Sequence, residues 1–119
     1  MRWLQIRTDG WRVAVVVAAL AMVLVGCAEE VAPAVPEGAD PVLDDGRDIW
    51  RANCSRCHGG AGGGGAGPSL EGPWPDDRQP DHPAMIAVVA EGRGAMPRFG
   101  GSLSDDEIDA VVRYVREVL

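Results

Sequence analysis

Residues 54–58 read Cys54-Ser55-Arg56-Cys57-His58, a C-x-x-C-H pattern around which the remaining chain is best understood. This pattern is typical of covalent attachment of a c-type haem. Two thiols three residues apart lie on one face of a helical turn, where each can form a thioether to a haem vinyl group. His58 can then reach the iron through an imidazole nitrogen. The motif therefore predicts one covalent haem c, attached at Cys54 and Cys57 with His58 as an axial iron ligand.

Three alternative uses of the motif explain less of it. A structural zinc site usually takes four Cys or His ligands, whereas the chain has only Cys27, Cys54 and Cys57, and Cys27 is better explained by the leader. A thioredoxin-like redox pair needs a βαβ setting, and no strand pattern surrounds Cys54. A plain structural disulfide would leave His58 without a role. Covalent haem attachment is therefore the leading interpretation.

The first 26 residues have the composition of an export signal. Three arginines precede an unbroken apolar run over residues 13–25. That run is shorter than the about 20 residues of a membrane-spanning helix and fits the apolar region of a secretory signal. Residues 24–27, Leu-Val-Gly-Cys, resemble the lipobox of bacterial lipoproteins. The resemblance implies cleavage before Cys27 and a diacylglyceryl group, with acyl chains such as palmitate, on its sulfur.

Two alternatives remain for this leader: an ordinary signal peptide with a chance cysteine, and an uncleaved membrane anchor. With the lipoprotein interpretation, residues 1–26 are removed, residues 27–42 form an acidic, Pro-rich tether, and residues 43–119 form the folded domain. The domain is then extracytoplasmic and lipid-anchored, at the periplasmic or outer face of the cytoplasmic membrane or at an outer membrane. Export agrees with the motif, because c-type haem is attached outside the cytoplasm.

Composition limits the partners of this domain. The formal net charge is −7, and all eleven basic residues are arginine. An acidic chain of this kind lacks the basic face that nucleic-acid phosphates require, so nucleic acid is excluded as a partner. The acidic residues either attract a basic docking partner or serve solubility alone.

The apolar spacing predicts three helices joined by Gly/Pro-rich loops, and no strand. The first helix is expected over about residues 45–57, with Asp44 or Asp45 as its N-cap. The second is expected over about residues 83–91, after a cap at Asp81 or His82. The last begins at a capping box, Ser104 to Glu107, and carries apolar residues at three- and four-residue spacing. A domain of about 75 residues is marginal without a staple, and a covalent haem would supply one.

The sixth iron position has three candidate ligands. Met96 ranks first, because Gly92-Arg93-Gly94-Ala95-Met96-Pro97 is a loop whose glycines allow the backbone to approach a haem. His82 precedes a proline and is expected to cap the second helix or to stay solvated. Met85 lies on an apolar helix face, where core packing is the simpler role.

Over about residues 43–119 the chain resembles a small class I cytochrome c. The matching pieces are Gly46 with Trp50 before the haem motif, residues 54–59, Gly67-Pro68-Ser69-Leu70, Gly94-Ala95-Met96-Pro97 and the final helix from Leu103 onward with Tyr114. The resemblance implies an all-α class I cytochrome c fold, with three main helices around the haem. It also implies that the Pro68 carbonyl contacts the second ring nitrogen of His58 and that Trp50 meets Tyr114 where two helices cross. We further place Leu70 and Trp74 with Pro68 in the haem pocket.

The resemblance implies a one-electron carrier rather than an enzyme, with His58 and Met96 on either side of the iron. Its expected partners are a quinol:cytochrome c reductase on one side and a terminal oxidase or a dehydrogenase on the other. The first alternative is a dedicated haem c subunit of a dehydrogenase or oxidase complex. The second is a haem sensor or enzyme with an open iron position, which requires that Met96 does not bind iron.

Overall fold

The computed structural model describes residues 31–72 and 81–119, and every structural statement below concerns these ranges. Helix α1 (Val42–Ile49) continues through a π-helical turn (Trp50–Cys54) into α2 (Ser55–His58), and α3 (His82–Glu91) and α4 (Asp105–Glu117) come later in the chain. The described residues form no strand beyond an isolated bridge between Arg93 and Met96, and none of their helices is long and apolar enough to cross a membrane. The predicted all-α class is confirmed. The predicted signal peptide, Cys27 and Trp74 lie outside the described residues.

Helix α1 begins a few residues earlier than predicted, and its N-cap is Pro41 rather than Asp44 or Asp45. The carboxylate of Asp40 accepts a hydrogen bond from the backbone N–H of Val42 at 3.1 Å, and the Asp40 carbonyl accepts one from Leu43 at 3.0 Å. Proline suits this position, because its fixed φ is already helical and its missing N–H has no helical partner. The prediction of the cap was wrong because an acidic first turn also favours a helix start at either of the two later aspartates.

A π-helical turn joins α1 to α2 and was not predicted. Within it the Asn53 side chain donates to the Ile49 carbonyl at 3.1 Å, and just after it the Ser55 hydroxyl donates to the Arg51 carbonyl at 3.0 Å. Such turns insert one extra residue into a helix and therefore rotate the residues beyond the insertion about the helix axis. Here the rotated residues are those of the haem motif, so the turn sets the direction in which the two thiols and His58 leave the helix.

The core lies where α1 crosses α4. Trp50, Ile108, Val111, Val112 and Tyr114 are the largest fully buried side chains. The rings of Trp50 and Tyr114 are 6.4 Å apart and inclined at 45°, as the resemblance implied. The helices approach closely because Gly46 presents no side chain: a Cβ there would lie 2.8 Å from the Ala110 carbonyl carbon and 2.9 Å from the Tyr114 Cβ.

Local capping determines where α3 and α4 begin. The Asp81 carboxylate accepts a hydrogen bond from the Ala84 backbone N–H at 2.9 Å, and a proline occupies the first turn of α3. Ser104 and Glu107 form both halves of a capping box at α4. Both predicted starts are confirmed, with Asp81 rather than His82 as the cap of α3.

The segment before α1 is packed against the domain, in contrast to the free tether expected from its composition. Ala32 is buried and Val35 packs against the core cluster. The Tyr114 hydroxyl donates to the Pro33 carbonyl at 2.7 Å, and Arg47 donates to the Ala32 carbonyl at 3.0 Å. The described part of the predicted tether therefore belongs to the folded unit.

Candidate functional site

The haem motif lies at the end of the first helical rod, where the π-helical turn and α2 position its three reactive side chains. Cys54 packs against the edge of the core cluster, Cys57 is exposed and both thiols are free. Burial, with a smaller effect from neighbouring Cys57, raises the pKa of the Cys54 thiol to about 11. In the unmodified chain the Cys54 sulfur is therefore a neutral thiol at pH 7.

His58 is buried, with 9% of its surface exposed, and its orientation is set by its backbone partner. Its Nδ1 lies 2.9 Å from the Pro68 carbonyl oxygen. A carbonyl only accepts hydrogen bonds, so Nδ1 carries the proton and Nε2 has the free lone pair. A partner of this kind fixes the ring and raises the basicity of the ligating nitrogen. The contact implied by the resemblance is present.

A glycine at position 67 allows the chain to pass directly over the His58 ring. A Cβ there would lie 2.8 Å from both Cε1 and Nδ1 of His58. The backbone N–H of Gly67 donates to the Cys57 carbonyl at 2.8 Å, and that of Gly64 donates to the His58 carbonyl at 2.7 Å. The glycine-rich stretch therefore folds back on the motif and presents Pro68 to the histidine.

Trp50 connects this loop to the core. Its indole Nε1 donates to the Gly60 carbonyl at 2.8 Å, and its ring lies 6.0 Å from the His58 ring at 37°. One buried aromatic side chain thus contacts the loop, the histidine and, through Tyr114, the last helix. The position of His58 is consequently coupled to the packing of the whole domain.

Leu70 is the described member of the predicted apolar pocket wall beside Pro68. Its backbone N–H donates to the Gly62 carbonyl at 2.7 Å, and its side chain is half-buried against the core cluster. This position at the rim of the core, two residues after Pro68, is suitable for contact with an apolar porphyrin edge.

Met96 lies in a tight turn between α3 and α4 and is half-buried. Its N–H and carbonyl both pair with Arg93, at 2.9 and 3.2 Å. Gly92, at φ +77°, allows this turn to form, because a Cβ there would lie 2.6 Å from the Met96 carbonyl oxygen. Beyond the turn, Phe99 donates to the Val89 carbonyl at 3.0 Å, which ties the loop to α3. The thioether is therefore carried on a constrained backbone.

The two rival ligands are engaged elsewhere in the fold. Met85 is buried in the hydrophobic core cluster, as expected. The Nε2 of His82 lies 2.7 Å from a carboxylate oxygen of Asp109, which joins α3 to α4. The expectation that His82 caps a helix or stays solvated was wrong, because the helix crossing brings Asp109 within hydrogen-bonding distance.

The donor set fits a haem c better than a bare metal ion. Two thiols at thioether spacing, an imidazole with its second nitrogen already bonded and a half-buried thioether are the groups that a covalently attached, six-coordinate haem requires. In residues 31–72 and 81–119, no three His, Cys, Asp or Glu side chains are grouped so as to hold a metal ion.

Exposed charge is unevenly distributed around these groups. Arg56 lies between the two cysteines, and Arg93 and Arg98 flank Met96; all three are exposed. The groove between α1 and α4 is instead lined by acidic residues, among them Asp45, Asp48, Asp106 and Glu107. The chain is acidic overall, yet the charged residues nearest in sequence to the predicted iron ligands are arginines.

Residues 41–115 match the family model described as "Cytochrome C oxidase, cbb3-type, subunit III". The chain is 39% identical to cytochrome c6 of Leptolyngbya boryana over 72 residues, which cover 59% of this chain and 85% of that protein. It is 41% identical to cytochrome c6 of Microcystis aeruginosa over 73 residues, which cover 60% of this chain and 90% of that protein.

The fold is similar to that in the crystal structure of cytochrome cL from Hyphomicrobium denitrificans. The TM-score is 0.58 at 27% sequence identity, over 69% of this chain and 54% of that one. The chain thus spans about half the length of this solved structure. The residues matched by the family model include the haem motif, Pro68 and Met96.

Proposed function

The chain belongs to the cytochrome c family of electron carriers with one covalent haem c, and from this premise we propose that it carries single electrons on a His58- and Met96-ligated haem while lipid-anchored outside the cytoplasm. The observation that carries the ligand assignment is the Nδ1 contact of His58 with the Pro68 carbonyl at 2.9 Å. This contact leaves Nε2 available for iron. Cys54 and Cys57 would form the two thioethers.

The haem would supply a reversible one-electron couple, and the chain's own residues favour electron transfer over catalysis. Histidine with methionine ligation raises the reduction potential of a haem. With both axial positions filled, no position is left for oxygen or peroxide. The constrained turn around Met96 supports this assignment, because a ligand on a rigid backbone moves little between oxidation states.

Replacement of Met96 by alanine tests the axial assignment. We expect Met96→Ala to abolish the weak red absorption band of methionine-ligated ferric haem, to lower the reduction potential and to allow carbon monoxide to bind. Met85→Ala and His82→Ala are matched controls, since one removes a buried thioether and the other the only non-motif histidine of the chain. Both should keep the red band. An unchanged spectrum in Met96→Ala, or loss of the band in His82→Ala, would reject the assignment.

Lipid anchoring rests on the sequence at Cys27. Intact mass spectrometry of the membrane-extracted protein should show a chain that begins at Cys27 and carries both a haem and a diacylglyceryl group. A mass that includes haem without acyl chains would refute the anchor and leave electron transfer standing.

The physiological partners that we propose are a quinol:cytochrome c reductase as donor and a terminal oxidase or dehydrogenase as the second partner.

A dedicated subunit of an oxidase complex is the second candidate, and the description of the matching family model, an oxidase subunit, favours it. The measurement that separates the two candidates is purification from mild detergent. A stoichiometric oxidase partner would support the subunit, and a monodisperse free cytochrome would support the carrier. We further propose that the exposed Arg56, Arg93 and Arg98, which lie close in sequence to the motif and to Met96, face the redox partner. The rate of electron transfer to an anionic partner should then fall with rising salt.

A further inference from the structure

The segment of residues 31–41, which we call the strap, is attached to the folded domain at both of its ends. Near its start, the Ala32 carbonyl accepts from Arg47 Nη2 at 3.0 Å and the Pro33 carbonyl accepts from the Tyr114 hydroxyl at 2.7 Å. Near its end, the Asp40 carboxylate pairs with Arg113 at 2.9 Å. The contacts reach both α1 and α4.

Several residues at the contact between the strap and the domain are buried. Ala32 is 4% exposed and Tyr114 is 0% exposed, and Val35 packs against the core cluster. Lifting the strap from the domain would break the hydrogen bond between the Tyr114 hydroxyl and the Pro33 carbonyl and would expose the apolar surface beneath Ala32 and Val35. Keeping that surface out of water favours the docked state.

The docked strap shortens the chain that separates the domain from its proposed lipid. Only Ala28, Glu29 and Glu30 then lie between the acylated Cys27 and the strap, so that residues 27–30 are the whole of the connecting chain. Four residues span at most about 14 Å when extended and about 11 Å r.m.s. as flexible coil. An undocked tether of residues 27–41 would reach about 50 Å when extended and about 21 Å r.m.s..

We propose that the strap holds the anchored domain against the bilayer surface, so that its redox partner is a protein of the same membrane standing beside it. This inference rests on the lipid anchor of the proposed function. A domain held at this height cannot sweep outward to a distant soluble acceptor. It exchanges electrons by lateral diffusion or within a complex, with a partner whose redox centre lies close to the membrane surface.

Two insertions of equal length distinguish a docked strap from a swinging tether. About eight Gly/Ser residues are inserted either between Glu30 and Val31, before the strap, or after Gly38, where the chain is exposed and a side chain would meet nothing within 4 Å. With a docked strap, the first insertion lengthens the free chain from about 11 to about 19 Å r.m.s., and the second only enlarges a surface loop. With a swinging tether, both lengthen it alike, from about 21 to about 26 Å r.m.s..

The readout is energy transfer to the haem from a fluorescent headgroup lipid, measured on the acylated holoprotein in phosphatidylcholine vesicles. We expect the insertion before the strap to lower the transfer and the insertion after Gly38 to leave it at the wild-type value. Equal losses from both insertions would overturn the inference.

The same samples separate this inference from the proposed function. Each variant is checked by intact mass and by its absorption spectrum. Protein that has the methionine-ligated haem spectrum but no acyl chain would overturn both the lipid anchor and the strap inference, and the proposal of an electron carrier would remain. Acylated protein with equal losses would overturn the strap inference alone, and acylated protein without haem would overturn the electron carrier.

Discussion

Replacement of Gly46 by alanine should separate the two helices that form the core. A methyl group at this position would meet the backbone of Ala110, with the carbonyl carbon 2.8 Å away, and the Tyr114 Cβ at 2.9 Å. Ordinary carbon contacts need about 3.5–4.0 Å, so α1 and α4 would have to move apart by the better part of an ångström. A backbone obstacle cannot rotate away as a flexible side chain could.

Two opposing effects decide the magnitude of this change. Overpacking of a well-packed core costs about 1–3 kcal/mol, and sometimes more; the upper end applies because the obstacle is backbone. Alanine is better than glycine inside a helix by about 1 kcal/mol. We therefore expect Gly46→Ala to lower the free energy of unfolding by about 2 kcal/mol. That is a large share of the total, since a domain of about 75 residues has about 4–11 kcal/mol to lose.

The assay is guanidinium denaturation of the holoprotein, monitored by tryptophan fluorescence and by the Soret band. Gly101→Ala is the matched control, because a Cβ at Gly101 meets nothing within 4 Å and its φ is not positive. The control should unfold within about 0.5 kcal/mol of wild type, as most surface changes do. Equal stability of Gly46→Ala and Gly101→Ala would refute the reasoning that the glycine permits the helix crossing.

Two further predictions concern the haem loop and the last helix. Gly67→Ala places a methyl group 2.8 Å from Nδ1 of His58, so it should lower the free energy of unfolding by about 2 kcal/mol and perturb the Soret band. Gly101→Ala should do neither. An unperturbed spectrum in Gly67→Ala would contradict the close approach of the loop to the His58 ring. The backbone N–H and the hydroxyl of Ser104 lower the pKa of Glu107. Stability from this carboxylate is therefore present above the ordinary Glu pKa of about 4.3 and lost as pH falls through the lowered value. The denaturation midpoints of wild type and Glu107→Gln should converge on acidification. A difference between the midpoints that is constant with pH would contradict the stabilising role of the ionised Glu107 carboxylate.

The features that the sequence predicted are those encoded by neighbouring residues. Cys54, Cys57 and His58 lie within five positions, and the capping box of Ser104 and Glu107 lies within four. Hydrogen bonds and helix-face positions at such spacing depend on local backbone geometry alone. The haem motif and the start of α4 could therefore be identified without any tertiary information.

The contact between His58 and Pro68 belongs to an intermediate class. It joins residues ten positions apart, and nothing in composition or periodicity points to it. It was expected only because the chain resembles a class I cytochrome c. The structure then shows the physical means, a glycine at position 67 that lets the loop pass over the imidazole ring.

Misjudged features depend on residues far apart in the chain. The segment before α1 has the acidic, Pro-rich composition of a free linker, yet Pro33 accepts a hydrogen bond from Tyr114, 81 residues away. His82 likewise pairs with Asp109, 27 residues away. Whether a polar group is solvated or paired depends on which helix packs against it, and local sequence does not contain that information.

From the sequence alone we predicted a covalently attached haem, the ranking of Met96 as second iron ligand and the positions of the helices to within a few residues, because each prediction rests on residues close together in the chain. Only the tertiary structure decided the angle at which the motif leaves its helix, the partner of His82 and the docking of the strap. These depend on the π-helical turn and on the crossing of α1 with α4. That crossing brings distant residues within hydrogen-bonding distance. The helices can approach so closely because Gly46 has no side chain to collide with α4.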